Sequence, residues 1–281
     1  MSVEVVLSED PGRALTEAGV FLASDPVLHN LILTLLHERL AYPEPGRYWV
    51  AKEGDTVVGV AFQSPLDFAA TLTPMRPEVV SAVVNAIVEA GVALPGVIGE
   101  AATAARFAGQ WTERQGSAAF PIEGQRIYEF AQLPERKKIG GRLRKASPND
   151  RDLVVAWVRG FYTDVGQGVR DFEPVVERRL AAGLFWLWED GEPVSMAANS
   201  EPVEGVVRVQ AVYTPPDRRN LGYAGACVGD LSRRMRDEGY RCMLYTDLGN
   251  PTSNSVYRRI GYNAVAEALR YRFERNPNAP G

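Results

Sequence analysis

The chain has 281 residues, a formal net charge of −4 and 46% apolar residues. That is enough chain for two ordinary domains with real cores, and no apolar run approaches the about eighteen residues that a bilayer-spanning helix needs. Only His29 and His37 are present, and Cys227 and Cys242 lie far apart without metal-ligand spacing, so a histidine triad, a metal site and a disulfide scaffold are not expected.

The first residues, MSVEVVLSEDPGR, are acidic and strand-like and show no charged-then-apolar leader, which points to the cytoplasm. Residues 3–7 alternate as a strand. Residues 14–40 read as one long helical region, with Leu28, Leu31, Leu35 and Leu36 on helical spacing. Strands at 48–51 and 57–62 flank Glu53-Gly54-Asp55, a hairpin signal. A strand at 71–74 leads to a helix over 77–90 that begins on Pro77, where the missing N–H costs little. A strand at 97–98, a helix over 103–114 and a strand over 125–133 follow.

Residues 134–141 are charged and then glycine-rich, as a domain boundary is. Domains over 1–135 and 136–281 are therefore expected. The first holds 8 Lys/Arg and 17 Asp/Glu, a net of −9; the second holds 23 and 18, a net of +5. A basic half suits an anionic ligand. Six of its cations crowd into residues 136–145, and no basic face interleaved with aromatics exists, so nucleic acid is not the expected partner.

The second half repeats the order of elements. A strand at 143–145 precedes a helix over 148–161 with Ser147 as cap and Pro148 at its first position. A helix over 172–182 comes next, then strands at 184–189 and 193–199 around the turn pair Asp190-Gly191. A strand at 206–214 runs into Pro215-Pro216. Ala224, Cys227, Val228, Leu231 and Met235 mark one face of a helix that Gly239 ends. A strand at 242–246, a short helix over 254–260 and a strand at 265–273 finish the fold, and residues 276–281 are expected to fray. Trp157, Trp186 and Trp188 read as core, with the lining of a pocket as the alternative. Both halves read as α/β domains: a mixed, mostly antiparallel sheet with helices on both faces.

The chemistry concentrates after the strand at 206–214. Arg219-Asn220-Leu221-Gly222-Tyr223-Ala224 fits the pattern Arg/Gln-x-x-Gly-x-Gly/Ala. Such a loop aims backbone N–H groups at one point before a helix N-terminus, where a phosphate is attracted. Gly222 lets the backbone approach a ligand closely, and Ala224 keeps the first turn open. A plain strand-to-helix turn is the alternative reading. Leu244 to Tyr262, about thirty residues on, places Asn254 one helical turn before Tyr257 and ends in Gly261-Tyr262. The corresponding stretch of the first half, Met75-Arg76-Pro77-Glu78, has no Gly, and Pro77 removes a donor.

Together these two blocks resemble the GNAT family of N-acetyltransferases, well over the last 140 residues or so and in outline over the first 135. The resemblance implies two GNAT-like domains, the first of which has lost its CoA loop. It implies acetyl-CoA as cosubstrate, no metal, a primary amine on a small molecule or peptide as acceptor, and a possible homodimer. Val212, Tyr213 and Thr214 would pair with the pantetheine arm. Arg218, Arg219, Asn220, Leu221, Gly222, Tyr223 and Ala224 would form the pyrophosphate cradle, and Asn254 would contact the pantetheine or hold the helix entrance. Tyr257 matches the tyrosine that protonates the departing sulfur, and Asp247, at a strand end, is a candidate base. Leu221 stands where many members carry a basic residue. A CoA-binding sensor or scaffold without transfer activity is the competing reading, and some tandem members acetylate a thiol. A dinucleotide-binding enzyme is disfavoured, because neither Gly-x-Gly-x-x-Gly nor a P-loop is present.

Overall fold

The computed structural model of the protein describes residues 2–132, 134, 139–166 and 172–275. The charged residues 135–138 and the tail from 276 on, expected as linker and frayed end, lie outside the described residues. The chain folds as two compact units. The first holds the residues up to Ile127, Asp247–Gly249 and those from Val265 on; the second holds Tyr128–Thr246 and Asn250–Ala264.

In the first unit the strands are β1 (Glu4–Ser8), β2 (Arg47–Glu53), β3 (Thr56–Gln63), β4 (Ala70–Leu72), β5 (Gly96–Glu100) and parts of β6 (Ser117–Phe130) and β12 (Tyr262–Arg275). They lie in the order β1-β2-β3-β4-β5-β12-β6. β1–β2, β2–β3 and β3–β4 pair antiparallel, and β4–β5 pair parallel. Strand alternation buries both faces. Trp49, Ala51 and Ala61 pack with Val80, Val83 and Ile87 of α3 (Pro77–Glu89) and with Phe107 and Trp111 of α4 (Ala101–Gln115). On the other face Tyr48, Val50, Val60 and Phe62 are buried outside that cluster, with α1 (Pro11–Ser24) against β2 and β3 and α2 (Asn30–Ala41) packed on α1.

The helical region expected over 14–40 is broken into α1 and α2. Pro26 has no N–H and disfavours a helical Asp25, which sits at φ −138° and ψ 77°. The Asp25 carboxylate then takes the Leu28 N–H at 3.2 Å.

The units also differ from a division of the sequence at 135/136. β12 begins in the second unit, but from Val265 on it belongs to the first. There residues 268–272 pair antiparallel with residues 96–100 of β5, and Tyr271 and Phe273 pack on the core of that unit.

In the second unit, β7 (Arg142–Lys145), β8 (Phe185–Asp190), β9 (Glu192–Asn199), β10 (Val206–Tyr213) and β11 (Arg241–Asp247) follow one another in space, with β6 beside β11. β7–β8, β8–β9 and β9–β10 are antiparallel, and β10–β11 is parallel. Helices α5 (Arg151–Asp164) and α6 (Glu173–Ala181) cover one face through Val154, Trp157, Val158, Val176 and Leu180. Helix α7 (Tyr223–Asp237) covers the other through Cys227, Val228, Leu231 and Met235, with Tyr257 of α8 (Pro251–Arg259) packed on the same core. Ser147 caps a short turn before α5 in a box with Asp150. Arg144 grips the Asp150 carboxylate through two bonds of 2.8 Å and holds it well below the usual carboxylate range. Trp157, Trp186 and Trp188 are buried in these cores. Among the described residues no helix is long and apolar enough to cross a membrane, and no group of three or more His, Cys, Asp or Glu could hold a metal ion.

Candidate active site

The site begins at a defect in β10. The strand pairs with β11 through Val206, Val207 and Arg208 only. Among the described residues, 209–213 have no ladder partner in 244–246. On its other edge β10 shifts register against β9 between Gln210 and Tyr213, and Ala211 there has φ +49°, the left-handed region. A bulge of this kind inserts one residue and inverts the alternation beyond it. Val207 and Val209 face α7, and after the bulge it is Val212 that does so, while Ala211 and Tyr213 join the α5 and α6 side. The Tyr213 ring lies 6.1 Å from Trp157, and Gly160 is needed beneath it, because a Cβ there would meet the hydroxyl at 2.6 Å. Ser195 donates its Oγ hydrogen to the Tyr213 carbonyl (3.1 Å) or shares it with Thr214 Oγ1 (2.9 Å). No sequence signal marked Ser195. The parallel pair thus opens into a fork whose inner backbone edge can accept an extended ligand as an added strand would.

Past Pro215 and Pro216 the loop turns into α7. Asn220 has φ +64° and Gly222 φ +89°. Gly222 is the helix N-cap and offers no side chain, so no side-chain group covers the first-turn N–H groups; the helical ladder starts with Ala226 N–H to Gly222 C=O at 3.0 Å. These donors and the helix dipole make the place suited to an anion. Gly222 also has a reason within the protein. Its left-handed backbone disfavours any Cβ, and Ile139 Cδ1 lies 3.1 Å from where that Cβ would be. Ile139 is positioned by Gly140, whose carbonyl accepts the Trp188 indole N–H at 2.8 Å.

Arg218, Arg219 and Tyr223 of the loop are each held by an acid. Arg219 donates from Nη2 to Asp164 Oδ2 at 2.5 Å and from Nε to the Thr214 carbonyl at 2.9 Å, with its guanidinium 5.8 Å from the Tyr213 ring centre. Arg218 pairs with Glu192 and, at 3.4 Å, with Asp217. The Tyr223 hydroxyl donates to Asp190 at 2.8 Å, and that carboxylate pushes the phenol pKa up. Leu221 is exposed.

Tyr257 packs on the same core as Val212 and Tyr223, so strand, loop and tyrosine meet on one face of the unit. Its ring lies 6.3 Å from Tyr128 and 6.0 Å from Tyr262. Burial alone pushes its hydroxyl up to about 12, and among the described residues that hydroxyl has no hydrogen-bond partner. Asn254 is buried within α8 rather than at its entrance. Its Oδ1 accepts from the Tyr128 hydroxyl at 3.1 Å, and its Nδ2 donates to the Asn250 carbonyl at 2.8 Å. The entrance is held by Asn250, which accepts the Ser253 N–H at 2.9 Å, followed by Pro251. Asp247 ends β11, belongs to the first unit and accepts the Gly249 N–H at 2.7 Å.

The matching place in the first unit is built differently. Between β4 and α3 no residue has positive φ, and Pro77 opens the helix. Met75 N–H is taken by Thr103 Oγ1 at 3.1 Å, and Arg76 is paired with Glu53 and Glu78.

Comparison with known proteins agrees with this layout. The family model described as FR47-like protein matches residues 188–271, which spans the fork, the loop and Tyr257. A GCN5-related N-acetyltransferase from Sphaerobacter thermophilus is similar at a TM-score of 0.64 and 15% identity, over 98% of this chain and 97% of that one. An acetyltransferase from the GNAT family of Colwellia psychrerythraea gives 0.61 and 9%, over 98% and 100%. A tandem GNAT protein from the clavulanic acid biosynthesis pathway gives 0.55 and 12%, over 99% and 100%. No curated protein matches the sequence. The chain thus has the fold of the GNAT acetyltransferases and carries an FR47-like segment at residues 188–271.

Proposed function

We propose that the protein is an acetyl-CoA-dependent N-acetyltransferase of tandem type, with one active site, in the second unit. The observation that carries this reading is the Tyr257 hydroxyl: protonated, and bonded to nothing among the described residues, on a half-buried ring packed on the core it shares with Val212 and Tyr223. A hydroxyl not engaged by the described residues is available to donate to a ligand.

In this reading the fork beyond Arg208 receives the pantetheine arm on the backbone of Val212, Tyr213 and Thr214. The loop from Arg218 to Ala224 receives the pyrophosphate on the first-turn N–H groups of α7. The thioester supplies an activated acetyl group. Its C–S bond breaks as a C–N bond to a neutral primary amine forms, the amine proton passes to solvent, and Tyr257 donates to the sulfur. Full transfer from a phenol at about 12 to a thiolate near 8.5 is uphill by roughly 3.5 units, about 5 kcal/mol. The tyrosine therefore acts chiefly as a hydrogen-bond donor to the developing thiolate, with the proton following as the bond breaks. The first unit, without a glycine loop, with Pro77 at the helix start and with the Met75 N–H engaged by Thr103, supports the fold and takes no CoA. Release of free thiol from acetyl-CoA across a panel of small primary amines and amine-terminated peptides tests the reading. Turnover with at least one of them supports it, and saturable binding with no transfer to any supports a sensor instead.

A further inference from the structure

Arg219 is the one loop arginine whose guanidinium reaches back to main chain of β10's own exit, at Thr214, and its second arm ends on a carboxylate, Asp164. Asp164 is the last residue of α5, a different element from the loop, and its oxygen lies 2.5 Å from Nη2. A guanidinium binds carboxylate and phosphate with the same planar donors. Of the Arg219 donors, Nε is spent on Thr214 and Nη2 on Asp164. Both side chains are partly exposed, at 40% and 47%, so the pair is screened and exchangeable rather than locked. The same helix carries Gly160 and Trp157 against Tyr213, over which the Arg219 guanidinium sits.

We propose that Asp164 occupies Arg219 in place of a cosubstrate phosphate, so that a phosphate-bearing cosubstrate must displace this carboxylate and is bound more weakly because of it. This rests on the reading of the loop as the pyrophosphate cradle. Asp164 is then a tuning residue for cosubstrate affinity, and phosphate arrival frees the C-terminal end of α5.

The test compares wild type with Asp164→Asn by calorimetric titration, using two probes: acetyl-CoA, and S-acetylpantetheine, which has no phosphate. The expected result is a two- to fivefold tightening of acetyl-CoA binding in Asp164→Asn with S-acetylpantetheine unchanged. In an Arg219→Gln background the gain from Asp164→Asn should vanish. Unchanged or weaker acetyl-CoA binding by Asp164→Asn overturns the inference while leaving the cradle intact. An equal gain for both probes also overturns it, because phosphate would then not be the competitor. No acetyl-CoA binding by either protein overturns the cradle itself, and this inference with it.

Discussion

The Tyr128 hydroxyl donates to Asn254 Oδ1 at 3.1 Å, and both residues are buried. The bond ties the end of β6 to the middle of α8. Asn254 thereby fixes the helix that presents Tyr257 one turn later, and its role is to hold that helix in place. Asn254→Ala should leave the Tyr128 hydroxyl unpaired in the core and cost about 1–3 kcal/mol. Urea unfolding of the single variant and of Asn254→Ala with Tyr128→Phe checks this. The double variant should recover part of the loss, since it removes the orphaned group; equal stability of wild type and Asn254→Ala would contradict the account.

Tyr257→Phe removes one hydroxyl that has no hydrogen-bond partner among the described residues, so the fold should keep its stability while turnover drops about a hundredfold. The affinity for acetyl-CoA should change little. Because burial holds this phenol at about 12, the donor stays protonated through the assay range, and Tyr257 adds no descending limb to the rate between pH 7 and 10. Steady-state rates across that range, together with thermal melts, check both halves.

Much of this architecture is legible in the residues, for reasons that are local. The Asp190-Gly191 turn, the Ser147 cap and the Asn220–Gly222 loop each announce themselves through one backbone requirement that few residue types meet. The break between α1 and α2 was also in reach, because Pro26 cannot continue a helix; the leucine spacing across it masked the proline. Other features are settled by partners distant in sequence. Ala211 adopts left-handed backbone although it is not a glycine, because pairing with β9 on one edge and release from β11 on the other impose it. The last strand reads as a strand, but only its ladder with β5 shows which unit it completes. Asp164, Asp190 and Glu192 sit far from the loop in sequence, and nothing in their own neighbourhoods marks them as its partners.

Ala211 at φ +49° carries backbone strain that a glycine would relieve. Ala211→Gly should be neutral or stabilising by up to about 1 kcal/mol with the bulge kept. Ala211→Val, β-branched in left-handed backbone, should cost about 1–3 kcal/mol and weaken acetyl-CoA binding by closing the fork. Unfolding curves and a titration of each variant read the two effects separately. Tolerance of valine in both assays would argue against the bulge as part of the site.

Burial pushes the Cys227 thiol far up and the Cys242 thiol to about 12, and it raises Tyr262 as well. These groups ionise more easily in the unfolded chain, where a thiol titrates near 8.5. A folded pKa raised above the unfolded one gives stability that is complete below about pH 8.5 and is lost as pH rises toward the folded values. Stability in urea should therefore be level near pH 7.5 and fall by about 1–3 kcal/mol per pH unit above 9. Both thiols should resist alkylation in the native protein and react on unfolding. A flat stability profile from pH 7.5 to 10.5 would contradict the burial of these groups.

The most direct measurement of the central claim is a calorimetric titration of the purified chain with acetyl-CoA, reading affinity and stoichiometry together. The account predicts one site per chain with a Kd of roughly micromolar, about −8 kcal/mol, and loss of most of that affinity in Gly222→Val. Two sites per chain would contradict the assignment of the first unit, and no binding would contradict the cradle at Arg218 to Ala224 altogether.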